Sequence, residues 1–131
     1  MNWVRVDELC DHSWPWQKGV VLNDRLLLGQ DRGKSIYRYD GEKKIKVFEC
    51  MELIEGTHSC CFFDGYTYFL FGQKWKATSG NSYLYRSKTG NSGDWKLFQI
   101  FHNVQNVRAI TSFDDELYIG ADNILYQLSK G

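Results

Sequence analysis

The segment Cys60-Cys61-Phe62-Phe63-Asp64-Gly65-Tyr66-Thr67-Tyr68-Phe69-Leu70-Phe71-Gly72 decides the fold of this chain. Two apolar runs meet at Asp64-Gly65, a dipeptide that accepts positive φ and therefore suits a two-residue hairpin. Gly72 stops the second run. A polar loop over 73–81 comes next, then a third run over 82–87, a Gly-rich turn over 89–93 and a fourth run opening at Trp95. Four antiparallel strands joined by turns make a meander. The only helix-like stretch, 51–55, has neither the length nor the apolar period of a stable helix, so the chain reads as all-β.

The same meander is written three times. The anchors Leu22, Phe63 and Phe113 precede the turns Asn23-Asp24, Asp64-Gly65 and Asp114-Asp115, and the strand after each turn runs to Gly29, Gly72 or Gly120. The third strand carries one tripeptide in three versions: Ile36-Tyr37-Arg38, Leu84-Tyr85-Arg86 and Leu125-Tyr126-Gln127. A period of roughly 40 to 48 residues with four short strands per unit is the signature of propeller blades. The blades are expected over about 13–52, 56–102 and 106–131. The third lacks a fourth strand, and the N-terminus supplies a match: Asn2-Trp3-Val4-Arg5-Val6 follows the pattern of Asp94-Trp95-Lys96-Leu97-Phe98. A strand over 2–9 is therefore expected to complete the last blade.

Three blades do not close a ring, since the smallest familiar rings have four. The expectation is a half β-propeller within a single 131-residue domain, paired by a twofold axis into a six-bladed homodimer in which strand 2–9 completes the partner's last blade. The turn Ser87-Lys88-Thr89-Gly90-Asn91-Ser92-Gly93-Asp94-Trp95 resembles the Asp-box of sialidase-like propellers, a Ser-x-Asp-x-Gly-x-Thr-Trp hairpin between third and fourth strands. Thr89 stands where that motif has its aspartate, and the turn is longer. The resemblance implies architecture only, because the Asp-box lies on the face away from the active site in its family.

Composition narrows the function classes. A formal net charge of zero gives no bulk attraction to duplex nucleic acid or to membranes, which leaves only local patches. No basic region followed by an apolar stretch opens the chain and no run approaches a membrane span, so a soluble, cytoplasmic protein is expected. Cys10, Cys50, Cys60 and Cys61 form no C-x-x-C pair and read as free thiols. His12, His58 and His102 lack metal-ligand spacing, and neither a nucleophile elbow nor a phosphate-binding loop is present. The expectation is a non-enzymatic protein without cofactor or metal.

Sorting loops by face gives the candidate site. In a blade, the connector into the first strand and the loop between second and third strands share one rim. That rim collects Lys18, Arg32, Lys34, Lys74, Lys76 and Arg108 with Trp16 and Trp75, and alignment of the first strands puts Gln17, His58 and Arg108 at equivalent positions near the channel mouth. Cations beside aromatic faces suit a flat anionic ligand of nucleotide type, held by charge-assisted hydrogen bonds while rings stack, as in sequestration of a signal. A propeller lectin and a scaffold gripping a protein partner on the same face are the alternatives.

Overall fold

The computed structural model describes residues 2–4, 16–30, 32–72, 80–104, 107–121 and 124–129. They contain eleven strands and no helix. The first sheet is built from β1 (Trp16–Leu22), β2 (Arg25–Gln30), β3 (Ser35–Tyr39) and β4 (Lys44–Glu49). The second holds β5 (Gly56–Phe63), β6 (Tyr66–Gly72), β7 (Ser82–Ser87) and β8 (Lys96–Phe101). The third holds β9 (Val107–Phe113), β10 (Glu116–Ala121) and β11 (Ile124–Ser129). Within each sheet the strands lie in chain order and pair antiparallel, as three successive blade-like meanders.

The first hairpin of every sheet is the turn that its residues dictate. Asn23 and Asp24 have φ of 51° and 61°, Asp64 and Gly65 of 49° and 82°, and Asp114 and Asp115 of 52° and 62°. Positive φ at both central residues matches the right-handed twist of the flanking strands, and Asn, Asp and Gly tolerate it best. The first strands begin earlier than their apolar residues suggest. β1 opens at Trp16 rather than Gly19, and β5 at Gly56 rather than near Cys60, taking in the polar Thr57, His58 and Ser59. All but Ser59 of these three are buried. Asn2, Trp3 and Val4 are exposed and belong to no strand, while the rest of the expected strand 2–9 lies outside the described residues.

Two cores lie on opposite faces of the second sheet. Phe69, Phe71, Tyr83 and Trp95 pack toward Leu22, Leu27, Ile36 and Val47 of the first sheet. Tyr68, Leu70 and Leu84 pack toward Val107, Ile110, Leu117 and Ile119 of the third. Counted from the residue after the hairpin, the odd positions of a second strand face the next sheet and the even positions face the preceding one. Leu27 is odd and meets the second sheet; Leu117 and Ile119 are even and do the same from the other side. The phase is constant. Left over are the even face of sheet one, where Val21 pairs with Leu26, and the odd face of sheet three, with Phe113 opposite Glu116 and Leu125 opposite Gly120. Val21, Phe113 and Leu125 are each about two-thirds exposed, at 66%, 69% and 68%.

The seam between the first two sheets is tight at Gly29. A Cβ there would lie 2.6 Å from Thr57 Cγ2 and 3.2 Å from Phe69 Cε1, both on fully buried residues. The seam is also tied at its far end, where Asn91 Oδ1 accepts from Arg38 Nη1 at 2.6 Å and Arg25 Nη1 at 3.2 Å. Cys50, Cys60 and Cys61 are free thiols; Cys50 is buried and burial pushes its pKa up.

The turn between β7 and β8 is held by the carboxylate of Asp94. Asp94 Oδ2 accepts from Ser87 Oγ at 2.8 Å, from Thr89 N at 2.9 Å and from Thr89 Oγ1 at 2.7 Å. Ser87 Oγ in turn accepts from Gly90 N at 2.8 Å. Thr89 supplies two donors, and the carboxylate enters from the end of the turn. These bonds, those of Thr89 first, hold the Asp94 pKa down from 3.8 to about 2.

Two predictions follow from these contacts. Gly29→Ala should cost about 1–3 kcal/mol by overpacking, and less in a Thr57→Ala background, as urea unfolding in a double-mutant cycle would measure. Asp94 is bonded in the folded state, so its stabilisation is present above its unfolded pKa near 4 and is lost as pH falls toward about 2. The wild type should therefore lose urea resistance between pH 4 and 2 more steeply than Asp94→Asn, by a modest margin because the group is solvent-screened. Asp40, lowered chiefly by the Lys43 N–H, contributes the same sign to both proteins and cancels in the comparison.

Candidate functional site

The strand registers place the residues of the proposed rim. Each first strand carries one extra residue just after its start, seen as a register shift between Trp16 and Lys18 in β1, between Thr57 and Ser59 in β5, and at Gly120/Ala121 opposite Val107 and Ala109 in β9. The extra residues are Gln17, His58 and Arg108. A bulge leaves its residue out of the ladder and re-aims the side chain, and bulges concentrate at rims and beside sites. The three positions aligned by sequence thus share one backbone irregularity.

The first strands also lie together: β1 packs beside β5, and β5 beside β9. His58 is 3% exposed, and its Nδ1–H donates to the Val107 carbonyl at 3.0 Å. One step along, Ile110 N donates to Ser59 Oγ at 3.3 Å. His58 is thus a bolt between the first strands of sheets two and three, at a depth from which it does not reach solvent.

The loop between β2 and β3 folds over the start of β5. A Cβ on Gly56 would overlap the backbone N of Arg32, and Thr57 Oγ1 donates to Gly33 O at 3.4 Å. Only glycine at 56 allows that approach. Arg32, at φ 63°, and Lys34 are exposed, and this contact sets their loop beside the first-strand starts. Trp16, Gln17 and Lys18 open β1, and Arg108 is the second residue of β9; their side chains lie outside the described set. Lys74, Trp75 and Lys76 fall outside the described residues.

At the hairpin end of sheet two lies a group absent from the sequence-based site. The Arg86 guanidinium is 3.8 Å from the Tyr66 ring centroid and 4.2 Å from that of Phe98, and its Nη1 donates to Tyr68 Oη at 3.2 Å. Lys88 Nζ is 5.3 Å from the Tyr66 centroid. With Asp94, Lys96 and Leu97 these side chains line an open cleft of about 390 Å³. A guanidinium stacked between rings keeps its in-plane N–H groups for acceptors. Cross-strand pairing was the available signal, since Arg86 lies opposite both Tyr68 and Lys96.

No protein-family model matches the chain, and no curated protein matches it, so the role of each residue rests on its own geometry. For His58 that geometry gives a structural outcome. His58→Ala removes the donor to a buried carbonyl and should lower unfolding free energy by about 1–3 kcal/mol, as measured by chemical denaturation. An unchanged midpoint would refute the bolt.

Proposed function

We propose that the chain is half of a six-bladed β-propeller, closed by a second copy, and that it captures a flat anionic ligand of nucleotide type at the channel mouth without catalysing a reaction. The observation that carries the site is the triple bulge, which sets Gln17, His58 and Arg108 at the same point of three adjoining inner strands. In this reading Arg108 and Lys18 stand at the mouth, Arg32, Lys34, Lys74 and Lys76 take phosphate oxygens from the overhanging loops, and Trp16 and Trp75 stack on the base. Gln17 supplies a neutral donor, and His58 holds the frame.

The ring is supported by the constant phase of the sheets. Sheet one meets sheet two as sheet two meets sheet three, and the faces left over are the two that the same step would join between copies. A head-to-tail step repeated without end makes a filament, whereas one that returns on itself makes a ring. Exposed Val21 on one face and Phe113 and Leu125 on the other are apolar enough to be covered.

Light scattering should give a mass twice that of the 15.4 kDa chain. A panel of mono-, di- and cyclic nucleotides should contain one that raises the melting temperature, since ligand at a hundred times its Kd adds about 2.7 kcal/mol. Arg108→Ala and Lys34→Ala should each weaken that shift, and rising salt should weaken it further. A monomer would overturn the ring. A flat response to the whole panel would overturn the nucleotide, and salt-resistant binding on a glycan array would replace it with a sugar.

A further inference from the structure

Among the described residues the third sheet has three strands where the other two have four. There its third strand, β11, pairs with β10 alone, and Ile124, Leu125 and Leu128 along it are 50%, 68% and 39% exposed. Beside it, between β8 and the third sheet, runs a largely apolar cleft of about 260 Å³ lined by Leu84, Phe98, Phe101, Ile119, Tyr126 and Leu128 among others. Phe98 also lines the cleft of Arg86, Lys88 and Lys96, so the apolar cleft and the cationic one share a wall.

The seam between sheets one and two shows what fills such a groove. There the occupant is β8 with the turn before it. Trp95, 8% exposed, lies with its ring 6.0 Å from Phe48 of β4 and 5.6 Å from Phe69, while Asn91 of the turn caps Arg38 and Arg25. Arg86 holds the place in Leu84-Tyr85-Arg86 that Arg38 holds in Ile36-Tyr37-Arg38. The groove is thus the mould of a fourth strand with a tryptophan near its start. Trp3 and Val4 are 101% and 77% exposed, in a segment whose residues 2–6 follow the pattern of 94–98.

We propose that the segment beginning Asn2-Trp3-Val4 of a second copy lies along β11 as the fourth strand of the third sheet, with Trp3 seated against Phe98 and Phe101 as Trp95 is seated against Phe48. This rests on the ring reading above. It places the exchanged strand in trans because the segment leads into β1, and sheet one turns its open face toward the partner's third sheet. The register follows from β7 and β8, where Arg86 pairs with Lys96. Gln127 takes the first place and Val4 the second. Pairing with the partner would also cover the backbone groups of β11, which otherwise offer a template for association.

The test mixes two chains, one carrying Val4→Cys and the other Gln127→Cys, under mild oxidation. A disulfide-linked pair on a non-reducing gel is expected, with none from Val4→Cys mixed with Thr111→Cys, whose site pairs with Tyr118 away from the edge. Trp3→Ala should raise the dimer dissociation constant at least about tenfold, as a central tryptophan does at an interface. If light scattering gives a dimer that neither cross-links nor responds to Trp3→Ala, the strand exchange is overturned and the ring stands on its sheet faces. If the protein is a monomer, the ring is overturned, and a cross-link formed only within a chain carrying both cysteines overturns exchange between copies.

Discussion

Everything in the molecule depends on β6 being buried on both faces. Thr67 through Gly72 are all buried, with Phe69 and Phe71 in one core and Tyr68 and Leu70 in the other. A strand alternates with period two, so one six-residue run feeds two cores at once, at about 1.5–3 kcal/mol for each large apolar side chain removed from water. This leaves a problem of register. Because both sides of β6 are apolar, alternation alone does not tell Tyr68 from Phe69, and the strand could slip by one residue at small transfer cost. The register comes from the ends: the Asp64-Gly65 turn fixes the pairing of Phe63 with Tyr66, and Arg86 holds the Tyr68 hydroxyl from the neighbouring strand.

The same constraint explains why the outer sheets differ from the middle one. Sheets one and three each have a single face against β6 and its neighbours, so their other faces carry mixed sequence: Val21, Tyr37 and Lys44 on one, Thr111, Phe113 and Tyr118 on the other. Such faces tolerate water yet keep enough apolar area to pack. Lys44 Nζ lies 5.9 Å from the Tyr37 ring, and Phe113 and Tyr118 have ring centroids 6.3 Å apart.

What could be read from the sequence was whatever is encoded locally. The three hairpins were legible because Asn, Asp and Gly at paired positions carry their own φ preference, and the third strands because one tripeptide recurs. The starts of the first strands were not, because Thr57 and His58 are polar and their burial is set by the third sheet and by the loop at Arg32. The turn after β7 was legible as a turn, but Asp94 was not legible as its acceptor because sequence spacing hides a carboxylate that returns from five residues away. Arg86 was hidden for the same reason, since its rings come from β6 and β8.

The candidate site sits where local and non-local coding meet. Alignment put Gln17, His58 and Arg108 in one column without giving a cause, and the ladder supplies it: each lies where its strand's register shifts by one residue. A bulge interrupts pairing and increases twist, so a fold keeps three in register only if something is gained at that height. In the middle sheet the gain is visible as the His58 bond to Val107, which ties the first strands of sheets two and three. The chemistry at that one height nevertheless differs between sheets, as amide, imidazole and guanidinium. The backbone device thus repeats in all three sheets while the residue at it does not.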